Sequence, residues 1–279
     1  MHHTPDNRYT EIHVNCDIPY REGGSPSWKL DLFQPCPMPA SARLPAVVLV
    51  HGGGWEAGDK ANLADWVIKL VRRGYVCVSV NYRLSDEATF PASVADVKCS
   101  VRWLRAHADK LGIDPSRVGA MGISAGAHLV CFLGVTDHHP DLDEGPYEDQ
   151  SSRVRAVVDI CGPTTLTNWG GQLPEEKAWY WIQKFIGGMP AEAPELYAKA
   201  SPINYVDRDA APFLIIHGRQ DGLVPPNQAE QMHAAIKKVE GTSDLRMFED
   251  ATHGVFGEKR DEVLTLIVQF LATHLSSQT

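Results

Sequence analysis

The chain has 279 residues, 43% hydrophobic and 22% charged, with 26 Lys plus Arg against 35 Asp plus Glu and a formal net charge of −9. That is the composition of an ordinary folded domain. An acidic chain without a long basic run does not fit a nucleic-acid or anionic-membrane surface. No stretch reaches the roughly 18 apolar residues of a membrane span. Met1 to Arg8 lacks the apolar core of a signal peptide. The expected location is therefore the cytoplasm, or outside the cell if a leader has been removed.

Tyr9 to Ile18 alternates in part and stops at Pro19, which predicts a first strand. Gly23-Gly24-Ser25-Pro26 is a turn, and Trp28 to Gln34 predicts a second strand antiparallel to the first. Pro35 to Pro45 reads as a surface loop. Ala46 to Val50 is a continuous apolar run, expected of a strand buried on both faces, and ends in His51-Gly52-Gly53-Gly54-Trp55. A helix is predicted from Asn62 to Arg73, stopped by Gly74. A buried strand follows from Tyr75 to Val80. Val94, Val97, Val101, Leu104, Ala108 and Leu111 step by three and four, which predicts one long helix from Pro91 to Leu111. Arg117 to Met121 predicts a strand and Ala127 to Leu133 a helix, with Gly122-Ile123-Ser124-Ala125-Gly126 between them.

Asp137 to Ser152 is an acidic loop, and Val154 to Cys161 reads as a strand. Pro163 to Ala211 breaks the rhythm and holds an aromatic helix, Glu175 to Ile186. Strand, helix, strand and helix then follow at Pro212 to Ile216, Pro225 to Val239, Leu245 to Phe248 and Val255 to Leu275. An antiparallel pair followed by strands alternating with helices predicts one α/β domain over residues 1–279, with a mostly parallel, doubly wound, eight-stranded sheet. The segment at about 163–211 is expected to lie as a small cap over one end of it. Six cysteines without a C-x-x-C pair give no disulfide framework and no metal-ligand spacing.

A Gly-x-Ser-x-Gly between a strand and a helix has the form of a nucleophile elbow, with the serine on a sharp turn above the sheet. A serine hydroxyl needs a base within hydrogen-bond reach, and the base needs an orienting carboxylate. Asp221, in Gly218-Arg219-Gln220-Asp221-Gly222, follows one buried strand, and His253 follows the last short strand. Both fall at carboxyl ends of predicted strands, the edge where open α/β sheets bind ligands. His51 and His217 read as structural, and His128 lies too close to Ser124 along the chain to be its base. The glycine loop supplies candidate oxyanion donors at Gly53, Gly54 and Trp55, and Ala125 a further backbone N–H. No metal or organic cofactor is required.

With Asp31-Leu32-Phe33-Gln34-Pro35, Asn81-Tyr82-Arg83-Leu84 and His253-Gly254 added to these motifs, the sequence resembles the α/β-hydrolase superfamily from Trp28 to its final helix. Within it, the chain is most similar to the H-G-G-G esterase/lipase group and its BD-FAE type, the bacterial feruloyl and acetyl(xylan) esterases. Ile123 stands where the hormone-sensitive-lipase branch usually has Asp. The resemblance implies Ser124 as nucleophile, Asp221 as acid and His253 as base of a serine carboxylesterase acting on acetyl or aromatic-acyl esters of a small molecule or oligosaccharide. Trp169, Trp179 and Trp181 are candidate substrate contacts, with core packing as their other reading. Alternatives are an arylformamidase-type amidase and a catalytically silent binding module.

Overall fold

The computed structural model describes residues 7–39, 41–171 and 175–277. In chain order the strands and helices are β1 (Glu11–Pro19), β2 (Lys29–Cys36), β3 (Leu44–Val50), α1 (Ala64–Val71), β4 (Val76–Val80), α2 (Ala92–Ala106), α3 (Ala108–Leu111), β5 (Ile113–Ile123), α4 (Ala125–Val135), β6 (Ala156–Ile160), α5 (Glu176–Ile186), α6 (Pro194–Lys199), β7 (Phe213–Gly218), α7 (Asn227–Lys238), β8 (Ser243–Phe248), α8 (Val255–Glu258) and α9 (Arg260–His274). They build one eight-stranded sheet in the order β1-β2-β4-β3-β5-β6-β7-β8. β1–β2 and β2–β4 are antiparallel, and every later pairing is parallel. This is the α/β-hydrolase architecture expected from the strand–helix alternation.

The β-branched runs explain the layering. Ala46, Val48 and Val50 of β3 face a core shared with α2, α4, α5 and α7. Val47 and Leu49 face a second core with α1 and α9. Alternate side chains of one buried strand thus feed two separate layers. No helix among the described residues is long and apolar enough to cross a membrane.

Three helices differ from the periodicity. The helix expected from Pro91 to Leu111 breaks at His107, whose backbone leaves helical geometry. Its ring Nδ1 lies 2.8 Å from the Trp103 carbonyl, and the ring stacks on Trp103. The last helix breaks at Lys259, with φ −117°. The first begins as a 3₁₀ turn, Lys60–Leu63, capped by Asp59. The strand before Ser124 is longer than expected, because Ile113 already pairs with Leu44 of β3.

Candidate active site

β5 ends at Ile123, and Ser124 turns sharply into α4 with φ 56° and ψ −121°. Its N–H donates to the Ile160 carbonyl of β6 at 2.8 Å, and its carbonyl accepts the His128 N–H at 3.0 Å. The turn is tight enough that a Cβ on Gly126 would stand 2.2 Å from the Val50 carbonyl oxygen. Strand end, elbow and helix start therefore touch through backbone alone.

Two loops bring partners to Ser124. The loop after β7 carries Asp221, and the loop after β8 carries His253. Asp221 Oδ2 lies 2.7 Å from His253 Nδ1, and His253 Nε2 lies 3.0 Å from Ser124 Oγ. An ionised carboxylate only accepts, so the His253 proton sits on Nδ1 and Nε2 accepts from the serine hydroxyl. Asp221 Oδ1 takes the backbone N–H groups of Leu223 and Val224, both at 2.9 Å. Burial pushes the Asp221 carboxyl up, but hydrogen bonds from His217 and His253 outweigh it and hold the carboxyl well below the usual range. The three residues singled out for nucleophile, acid and base are thus hydrogen-bonded in one chain.

The glycine loop lies against this chain. Gly52 packs on Ile123 and Ser124, and the N–H groups of Glu56 and Ala57 donate to the Gly53 carbonyl. Gly54 has φ 61°, and a Cβ there would stand 2.4 Å from Trp181 Cδ2, so the indole rests directly on bare backbone. The Asn81-Tyr82-Arg83 motif supports the loop from beneath. The Tyr82 hydroxyl donates to the His51 carbonyl at 3.1 Å and its ring stacks on the His51 ring. Trp55 points inward: its Nε1–H donates to His128 Nδ1 at 3.2 Å, and its ring stacks on Phe185 of α5. His128 then donates from Nε2 to the Ala200 carbonyl at 2.7 Å. Burial draws the His128 imidazole down to about 4, which keeps it neutral and able to accept from Trp55.

Two cavities meet at Ser124 and share Gly54, Trp181 and Leu223. One is open, about 340 Å³, and reaches Leu63, Ile123 and Phe256. The other is about 20 Å³ and is lined further by Ala125, Pro163, Trp169 and Ala178. Of the aromatic residues expected to contact substrate, Trp169 and Trp181 line these spaces. Trp179 lines neither: it stands two residues from Trp181, on a different face of α5, and packs on the core.

Glu56 was not legible as a site residue. It accepts from Trp181 Nε1 at 2.7 Å, Lys184 Nζ at 2.6 Å and the Tyr180 hydroxyl at 3.1 Å, tying the glycine loop to α5. Asp159 was also missed, although a carboxylate inside Ala156-Val157-Val158-Asp159-Ile160 is a visible interruption. It is fully buried, its Oδ1 accepts the Gly162 N–H at 2.8 Å, and Cys131 Sγ lies 3.6 Å from Oδ2. Burial raises its carboxyl from the ordinary 3.8 to about 6. Between those values the folded chain holds a proton that the unfolded chain has lost, so this group's contribution to stability falls as pH rises through the window and stays lost above it. Asp159→Asn keeps an oxygen to accept the Gly162 N–H and turns its amide N–H toward the Cys131 sulfur; it is expected to melt higher than the parent at pH 7, with the gap closing toward pH 4. A gap in melting temperature that does not change with pH would contradict this.

The chain resembles known esterases in sequence and fold. Esterase LipQ of Mycobacterium tuberculosis is 32% identical over 235 residues, covering 84% of this chain and 54% of its own length. The chain thus spans about half of that relative. A truncated carbohydrate esterase from gut microbiota superposes with a TM-score of 0.86 at 27% identity, covering 98% of this chain and 99% of its own. Thermogutta terrifontis esterase 2, in a structure phosphonylated by sarin, gives a TM-score of 0.80 at 26% identity over 98% of each chain. The BD-FAE family model matches residues 30–236, most of the described sheet with the elbow and Asp221, and the chain belongs to that family.

Proposed function

We propose that the protein is a serine carboxylesterase that hydrolyses short-acyl esters, acetyl esters above all. The observation that carries the reading is the hydrogen-bonded chain from Ser124 through His253 to Asp221. His253 Nε2 takes the hydroxyl proton as Oγ bonds to the ester carbonyl carbon. The N–H groups of Ala125 and of the Gly53–Gly54 turn receive the oxyanion. His253 then gives its proton to the leaving alcohol oxygen as the ester C–O bond breaks. Water attacks the acyl-enzyme by the same route, its proton passing through His253 back to Ser124. Asp221 holds the imidazole and stabilises its charged form. The esterase names of the relatives, one of them in a structure phosphonylated by sarin, support ester hydrolysis as the reaction class.

The cavities support the acyl preference. A space of about 20 Å³ holds little more than one water-sized group, which is a methyl. The open cavity of about 340 Å³ can take the alcohol, including an aromatic or sugar one. Feruloyl esters would have to place their ring on that open side. A series of p-nitrophenyl esters is expected to lose about tenfold or more in kcat/KM from acetate to hexanoate, with methyl ferulate below acetate. Trp181→Ala, which opens the wall between the two cavities, is expected to flatten the series. A flat series in the parent would exclude the acetyl preference, and failure of a fluorophosphonate probe to label Ser124 would exclude the serine mechanism and revive the silent-module reading. The small cavity would equally take a formyl group, so N-formylkynurenine is the discriminating substrate for the arylformamidase alternative.

A further inference from the structure

A large cavity lies at the opposite edge of the sheet from Ser124, where β3 begins, β4 is entered and α9 ends. It holds about 390 Å³ and is lined by Arg8, Arg43, Arg73 and Arg117, with Tyr75 and an apolar floor that includes Val268. Four arginines around one hollow are unexpected in a chain of net charge −9, and among the described residues no Asp or Glu lines it.

Two of the arginines are anchored. Arg43 pairs with Asp109 at 3.1 Å, and Arg117 with Asp114 at 2.9 Å, and both acids stand outside the lining. Arg117 also donates to the Arg43 carbonyl and, at 3.4 Å, to the Leu275 carbonyl at the end of α9. Arg8 and Arg73 have no ion-pair partner among the described residues. Arg73 Nη1 donates to the Lys69 carbonyl at 2.7 Å, while its Nε is buried without any hydrogen-bond partner among the described residues. Burial draws the Arg73 guanidinium down, and only Tyr75 opposes this. Burial pushes the Tyr75 phenol up to about 12 against the pull of Arg8, Arg117 and Arg73, so three cations lie within electrostatic reach of a hydroxyl that stays protonated.

We propose that this cavity binds a small anionic molecule through a terminal carboxylate or phosphate, received by Arg73 and Arg8 with Tyr75 as a neutral donor. A planar guanidinium fork matches both oxyanions, and Val268 and its apolar neighbours give the rest of the ligand a dry wall. The site is separate from Ser124 and requires nothing of the esterase reading.

The test is calorimetric titration of the whole chain with inorganic phosphate and with succinate in low-salt buffer. Saturable binding with Kd at or below about 1 mM is expected for at least one of them. Saturation by phosphate alone or by succinate alone assigns the oxyanion. Arg73→Gln is expected to weaken binding at least tenfold. Arg8→Gln, on an exposed residue that cannot unsettle the fold, should weaken it in the same direction. Both variants are expected to keep parent turnover of p-nitrophenyl acetate, and Ser124→Ala to keep parent anion affinity. Absence of saturation by either anion, unchanged affinity in Arg8→Gln, or loss of binding in Ser124→Ala overturns the proposal.

Discussion

Ser124→Ala is expected to lower kcat on p-nitrophenyl acetate by about 10⁴-fold or more, with the melting temperature nearly unchanged. The size follows from what the hydroxyl does in the proposed reaction: no other group can form the acyl-enzyme, and residual turnover would come from oxyanion donors and binding alone. The stability expectation follows from what the hydroxyl touches. Its hydrogen-bond partner is the half-buried His253, whereas the turn is fixed by backbone, through the Ser124 N–H on Ile160 and the Ser124 carbonyl on His128. Alanine has the same Cβ and meets the positive φ of 56° no worse than serine. Turnover normalised to folded protein, with melting curves of both chains, is the measurement. Activity within tenfold of the parent would remove Ser124 as the nucleophile.

Gly126→Ala is expected to be severely destabilising. A Cβ there would stand 2.2 Å from the Val50 oxygen and 2.4 Å from the His51 oxygen. Both are backbone atoms at the end of β3, so no side chain can swing away. Relief requires α4 to move off the sheet or β3 to shift its ladder with β5, and either opens both cores. Overpacking that only backbone movement can relieve lies at the severe end of point-mutant effects, about 4 kcal/mol or more. Against a total of roughly 5–15 kcal/mol, that is a fall of about 10 °C in melting temperature, or failure to accumulate soluble chain. Gly257→Ala is the control, because nothing lies within 4 Å of its added Cβ. It should be neutral or slightly stabilising. Equal melting of both variants would show that the contact at Gly126 yields more easily than its geometry implies.

The core strands were readable because they are buried on both faces: Ala46 to Val50 and Phe213 to Ile216 admit no polar alternation, so their runs are continuous. Asp221 and His253 were readable because each follows such a strand, and a parallel sheet delivers the carboxyl ends of its strands to one edge. The breaks at His107 and Lys259 were not, since neither carries glycine or proline; the first coincides with a ring contact to Trp103. Glu56 is one acid among many in a loop. What singles it out is its contact with Trp181, 125 residues away, which no local pattern encodes. Trp179 and Trp181 look alike in sequence and differ only by helical phase against a wall that the fold alone supplies.

The strand order gives the site an assembly logic. Ser124 stands on β5, in the middle of the sheet, whereas His253 hangs beyond β8, the outermost strand, which is laddered to β7 alone. Their hydrogen bond closes a separation of 129 residues, and such distant closures are the slow ones in folding. A molecule whose β8 has frayed keeps its serine and its aspartate and lacks only the imidazole between them. In the proposed reaction, turnover would therefore report the β7–β8 ladder as well as the elbow.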